Sequence, residues 1–366
     1  MNSRLRIPGS FLVVILAVVL GASGATFHPS AVSASADPRA RDARVALVAV
    51  GATLISPVID AIRVLSSEAA INTGTDGRLT FLLLASDSRT SSVSRTDTMM
   101  IISIKGKTIT AASIPRDTAR IPKPASMGGG VFSGKANGIL RQLLTGTTLD
   151  GALGKFESVV EDLLRIEIDY RALVWFNGFT TLVDKVDPIS VNVNREIRDG
   201  KLGDDPDGPP GAYFPERKGY AIYAWDPLPN PYCNGAWKND TNPPIDAAYW
   251  CHRALAYMRS RKGPNNSDFV RERRQQEFVV WTTKAVAQSE LSALVTTAQA
   301  EGLGKWWTNY PITTASALEL YNTLQGSSLG QHVVFKPPTF ATRIPGTSGY
   351  ELNVTEIRKW AAQYLK

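Results

Sequence analysis

Two groups of charged residues in this sequence have the composition of an anion-handling site. The first follows an apolar run: Asp87 and Arg89, then Arg95, Thr96, Asp97 and Thr98, with Arg116 and Asp117 just behind Ile114-Pro115. Asp87 and Asp97 could face each other across one connection and hold a hard divalent cation. Mg²⁺ is usually bound by one or two carboxylates and completes its shell with water and substrate phosphates. Arg116 would stand ready to neutralise phosphate charge. Each residue alone is weak evidence, since an Asp at a strand end often caps a turn and an Arg-Asp pair is often a surface contact.

The second group is Arg259, Arg261 and Lys262, then Asp268, Arg271, Glu272, Arg273, Arg274, Gln275 and Gln276, six basic side chains against two acidic ones. If Leu255 to Arg261 is extended, the two-residue period puts Arg259 and Arg261 on one face. On a following helix, Arg271, Arg274 and Gln275 share a face at i, i+3 and i+4. Guanidinium forks match the paired oxygens of phosphate, which favours Arg over Lys for this task. The competing reading is a solvated helix on which Asp268 and Glu272 are ordinary ion-pair partners.

The elements that would position these groups alternate. Leu79 to Ala85, Thr98 to Ile104 and Thr108 to Ile114 read as strands, Leu149 to Leu164 as a helix and Tyr170 to Phe176 as a strand. A short helix near Phe179 to Lys185, a strand near Ile189 to Val193, a helix from Phe269 to Gln288 and a closing helix from Val354 to Leu365 follow. The expected fold class is α/β, an α-β-α layered domain with a central mixed sheet. Polar clusters just past strand ends lie where such sheets place ligands. Residues 199–247, rich in Gly, Pro, Asp and Asn but also in Trp and Tyr, read as a long ordered insertion.

The N-terminus reads as a membrane anchor or signal segment: Arg4 and Arg6 precede the unbroken apolar run Phe11 to Leu20. That run is shorter than the roughly 20 residues of a comfortable span, and Ala34-Ser35-Ala36 resembles a cleavage site, so cleaved and uncleaved forms both stand. Val45 to Ile59, after Arg39, Arg41 and Arg44, is a second span, an interfacial helix or the first buried helix. The body beyond about residue 70 has no span and is expected to be extracytoplasmic. The formal net charge of +7 favours anionic partners. Nucleic acid is disfavoured among them by the export segment and by the lack of aromatic interleaving in the Arg cluster.

Cys233 and Cys251 are the only cysteines; once export is granted a disulfide between them is expected, with unpaired core thiols the alternative. A zinc site lacks the paired spacing. His28, His252 and His332 read as structural, and Ser86 and Ser88 lack the His motif of a nucleophile triad.

Seven motifs in order, LLLASDSR (82–89), RTDTMMIISI (95–104), SIPRDT (113–118), KAN (135–137), IDYRALVWFNGFTTLVD (168–184), ALAYMRSR (254–261) and DFVRERRQQ (268–276), resemble the LytR-CpsA-Psr family. The resemblance implies a domain on the outer face of a bacterial membrane that moves a glycopolymer from a polyprenyl pyrophosphate carrier onto a sugar hydroxyl of peptidoglycan. It maps Asp87 and Asp97 onto the family's magnesium ligands, making Mg²⁺ the implied cofactor. Arg89, Arg95, Lys135, Arg259, Arg261, Arg271, Arg274 and Gln275 fall on its pyrophosphate-contacting set, and Arg116 and Arg259 are the implied catalytic residues. Beside them, Asp117 is a candidate catalytic residue in its own right: it, or a carboxylate released by metal rearrangement, would accept the attacking hydroxyl's proton. Phe156, Val159, Val174, Phe176 and Phe179 are candidates for an apolar lipid tunnel, or are ordinary core.

The implied organisation is an anchor or signal over 1–36, a linker or second apolar helix over 37–70, a catalytic domain over 71–300 and a C-terminal extension over 301–366 packed on it. Two departures from the family pattern stand out. Ala85 replaces a Gly, and its methyl would narrow the approach to the pyrophosphate. The 199–247 insertion would cap the site and select polymer or acceptor. Two alternatives to transfer stay open: hydrolysis of the same pyrophosphate, and a non-enzymatic glycopolymer or lipid-carrier binder.

Overall fold

The computed structural model describes residues 74–87, 95–186, 188–198, 213–222, 252–261, 266–282, 295–296, 305–311 and 313–366. The anchor segment, Arg89, both cysteines and most of the insertion lie outside the described residues. Among those described, no helix is long and apolar enough to cross a membrane.

The described chain opens with an antiparallel meander of β1 (Leu79–Ser86), β2 (Thr96–Lys105) and β3 (Thr108–Ser113), then β4 (Thr118–Ala119). Lys105 pairs with Thr108, and Gly106 supplies the positive φ of +57° that so short a hairpin turn demands. Helices α1 (Ile139–Leu143) and α2 (Leu149–Leu164) lead to β5 (Tyr170–Trp175), α3 (Phe176–Val183) and β6 (Ile189–Val193). Next come β7 (Ile197–Arg198), β8 (Tyr213–Phe214), β9 (Arg217–Ile222), α4 (Arg253–Arg259) and α5 (Asp268–Thr282). The chain closes with β10 (Trp306–Thr308), α6 (Thr314–Leu324), β11 (Ser328–Val334), β12 (Ala341–Arg343), β13 (Tyr350–Leu352) and α7 (Val354–Tyr364).

Six strands form the central sheet in the order β10-β5-β1-β2-β3-β11. It is mixed: β5 runs parallel to β1 and β11 parallel to β3, while the other pairs are antiparallel. Two of its strands come from beyond residue 300. Period-two alternation sends β1 side chains to both faces. Phe81 and Leu83 enter a core shared with Ala254, Tyr257, Phe278 and Leu320, whereas Leu82 and Leu84 enter one shared with Leu153, Phe156, Val160 and Ile357. The sheet is thus sandwiched between α4, α5 and α6 on one face and α1, α2 and α7 on the other, the expected α-β-α layering.

Part of the 199–247 stretch is ordinary sheet: β9 pairs antiparallel with β6, and β8 with β7. The expectation of an extended Leu255 to Arg261 is corrected, for Arg253–Arg259 is α-helical. His252 caps it: its buried Nδ1 accepts from the Leu255 N–H at 3.2 Å, while Nε2 lies 3.1 Å from Asp184 Oδ1. With Ala254, Leu255, Ala256 and Tyr257 all buried, no face periodicity marks this helix in the sequence.

Candidate active site

Strands β1 and β3 end, and β2 begins, at one edge of the sheet. Asp87 follows β1, and Asp97 sits in a bulge: Ala85 pairs with Thr98 and Ser86 with Thr96, so Asp97 has no partner in the ladder. Bulges re-aim side chains in this way. Asp97 Oδ2 accepts from Arg116 Nη1 at 2.7 Å. Arg116 lies in the turn after β3, where the Thr118 N–H donates to the Pro115 carbonyl at 3.0 Å and the Asn137 N–H to the Arg116 carbonyl at 3.2 Å. The turn fixes the backbone from which the guanidinium reaches across to Asp97.

Arg116 is the electrostatic centre of the edge. Burial works against its charge, but Asp97, Asp117, Asp268 and Asp87 outweigh burial and raise its pKa above the ordinary guanidinium value. Asp117 Oδ1 accepts from Lys135 Nζ at 2.6 Å, and the same ammonium reaches Ser348 Oγ at 3.0 Å. Arg95 is exposed at the entry to β2.

The second group arrives from α4 and α5. Asp268, in the first turn of α5, joins the two groups: its Oδ1 is 3.0 Å from Arg271 Nη1 and 3.9 Å from Arg261 Nη1, and its charge acts on Arg116. The structure therefore brings Asp87, Asp97, Arg116, Asp117, Lys135, Arg261 and Arg271 into one polar neighbourhood. The solvated-helix alternative fails, because Arg271, Glu272, Arg274, Gln275 and Gln276 are all buried.

Not every expected ligand faces that centre. Arg274 donates to the Ser260 carbonyl and, at 3.4 Å, to Asn266 Oδ1, with its guanidinium 5.2 Å from the Tyr257 ring centre. It thereby braces the α4–α5 connection. Gln275 accepts from Thr98 Oγ1 at 3.0 Å and donates to the Met258 carbonyl at 3.2 Å, tying β2 to α4. Arg259 stacks 4.7 Å from the Phe176 ring centre.

Arg259 and Gln275 also line an apolar pocket of about 90 Å³, together with Leu83, Ala85, Met100, Val174, Phe176, Phe179, Met258 and Val279. Of the expected lining residues, Val174, Phe176 and Phe179 are there. Phe156 and Val159 are not: they belong to the core on the opposite face of the sheet, since α2 packs on that side. Ala85 lines this pocket, so its methyl narrows the apolar cavity.

Asp97 Oδ1 is buried and has no hydrogen-bond partner, the state of an oxygen suited to a cation. Among the described residues no group of three or more metal-ligating side chains converges; a cation held by one or two carboxylates would need substrate oxygens and water to complete its shell. Sequence reasoning undervalued two residues, Asp268 and Glu272, both read as surface ion-pair partners. The one signal for Asp268 was its spacing, three residues before Arg271 at the start of a helix.

No curated protein matches the chain by sequence. Among solved structures it resembles TagV of B. subtilis (TM-score 0.53, 19% identity, covering 80% of this chain and 98% of that one). It also resembles protein gbs0355 of Streptococcus agalactiae (0.53, 18%, 79% and 88%) and a structure described as TagT bound to LIIa-WTA (0.51, 19%, 79% and 89%). At these identities the likeness establishes a shared fold. The LytR_cpsA_psr family model matches residues 60–333, three quarters of the sequence and all of the site just described, so the chain belongs to the LytR_cpsA_psr family, whose members are cell-wall glycopolymer transferases.

Proposed function

We propose that this protein is a membrane-anchored, extracytoplasmic, Mg²⁺-dependent phosphotransferase that moves a glycopolymer from a polyprenyl pyrophosphate carrier to a sugar hydroxyl of peptidoglycan. The observation that carries the reading is the convergence at Arg116 of the strand-end carboxylates and, through Asp268, the guanidiniums of Arg261 and Arg271. The adjoining apolar pocket, with Arg259 in its lining, offers a place for the first stretch of the lipid. That TagT, a fold neighbour, binds LIIa-WTA supports a ligand of that class.

Phosphoryl transfer needs charge neutralisation and in-line placement more than covalent chemistry by the protein. The acceptor oxygen forms a bond to the sugar-linked phosphorus, the bridging P–O bond breaks, and lipid monophosphate leaves. Arg116, Arg261 and Arg271 would neutralise the two phosphates. Asp87 and Asp97 would hold Mg²⁺, which supplies further positive charge at the phosphate oxygens. Asp117, salt-bridged to Lys135, is the carboxylate we assign to receive the hydroxyl's proton.

The test uses the full chain in detergent with a synthetic polyprenyl pyrophosphate sugar and Mg²⁺, following lipid monophosphate release with and without peptidoglycan. Release that needs Mg²⁺, rises with acceptor and collapses in Arg116→Ala and Asp87→Ala is expected. Acceptor-independent release would replace transfer by hydrolysis, and binding without release would leave a binder.

A further inference from the structure

On α5, Asp268, Glu272 and Gln276 follow one another at i+4, so they share a face. That face packs on the sheet: Gln276 Nε2 donates to Ser113 Oγ and to the Val333 carbonyl, both at 2.7 Å, at the ends of β3 and β11. Glu272 is carried inside with it and is 2% exposed. Neither carboxyl oxygen makes a hydrogen bond of ordinary geometry. Arg271 Nη2, itself buried and without a hydrogen bond, stands 3.8 Å from Glu272 Oε1. Buried acids whose oxygens make no ordinary hydrogen bond are rare, and this one lies beside Arg271 of the anion site.

We propose that Glu272 regulates the charge of the pyrophosphate site: as a neutral acid it leaves Arg271 available to phosphate, and as a carboxylate it would claim Arg271 and repel the ligand. The inference rests on the function proposed above. The groups acting on Glu272 are Arg271 and Asp268 from α5, and the Arg116 main-chain N–H and Asp117 from the turn after β3. Burial is the largest influence and raises its pKa; Asp268 and Asp117 push the same way, while Arg271 and the Arg116 N–H oppose them, leaving it at about 8. Glu272 therefore remains protonated at neutral pH. An anion that prefers the neutral acid must, by linkage, bind with proton uptake where the free acid is ionised.

The experiment measures binding of inorganic pyrophosphate with Mg²⁺ to the full chain and to Glu272→Gln at pH 7 and pH 9 by calorimetry. The ligand's own titration is common to both proteins and cancels in the comparison. Wild-type affinity should fall roughly tenfold more than that of the Gln variant, the limit for one linked proton ionising near the middle of that interval. Equal pH dependence, or a folded Gln variant that binds at neither pH, would overturn the inference. Should Glu272→Gln not fold, wild-type binding heats at pH 8 in buffers of different ionisation enthalpy decide: net proton uptake supports the proposal, and none or a release overturns it. A wild-type chain that binds no pyrophosphate at any pH would remove the proposed function and this inference with it.

Discussion

Helices α2 and α5 pack on opposite faces of the same sheet, and they bury different things. The buried residues of α2 are apolar: Ala152, Leu153, Phe156, Val159, Val160, Leu163 and Leu164. Its ends are satisfied locally, with Thr148 Oγ1 accepting from the Gly151 N–H at 3.1 Å and Arg165 closing the helix in the left-handed region. Helix α5 buries Arg271, Glu272, Arg274, Gln275 and Gln276 beside Phe278, Val279 and Val280. Burying charge costs stability unless partners compensate, so α2 holds the sheet together while α5 gives up stability to keep guanidiniums at one edge.

The largest effect that would sharpen this contrast is on the α2 side. Phe156→Ala should lower the free energy of unfolding by about 3–5 kcal/mol, the usual cost of truncating a buried Phe, with turnover of the folded fraction unchanged; denaturant melts and rates per folded molecule check both. A rate loss per folded molecule would instead connect α2 to the site. On the other side, Arg116→Ala should cut turnover per folded molecule by about 10²–10³, as loss of a charge-stabilising donor does, and it should also lower the melting temperature because Asp97 loses its ion-pair partner.

Glu272→Gln tests the stability cost of the polar helix. The folded-state pKa of Glu272 is raised from 4.5 to about 8, so its contribution is fully present below pH 4.5 and is lost as pH rises through about 8. Wild type should therefore lose stability between pH 5 and pH 9, by at most a few kcal/mol, and the Gln variant should lack that component. Parallel stability–pH curves for the two proteins would contradict it. The smallest effect is expected at the α2 cap, where Thr148→Ala should cost about 1 kcal/mol and leave the rate untouched, read from the same melts.

The same contrast explains what the sequence disclosed. Helix α2 is legible from Leu149 to Leu164 because period, cap and length agree, and strands β1 to β3 are legible because β-rich runs alternate with short turns. Helix α4 misleads because it is buried all round and offers no stripe, and β10 is three residues whose strand character depends on pairing with β5. At the site, Asp87, Asp97 and Arg116 were legible as polar residues at strand ends. The aim of Asp97 was not, since it depends on a bulge in the β1–β2 register. Asp268 and Glu272 look like surface acids until α5 is packed on the ends of β3 and β11.

The central claim is that two groups far apart in sequence, one holding Arg116 and the other Arg271, form one pyrophosphate site. A double-mutant cycle with Arg116→Ala and Arg271→Ala, followed by lipid monophosphate release from the carrier, tests it most directly. Residues acting on one ligand couple, typically by about 0.5–3 kcal/mol, whereas independent residues add within a few tenths. We predict that the double variant loses clearly less activity than the product of the two single losses; strictly multiplicative losses would show that the two arginines serve different sites.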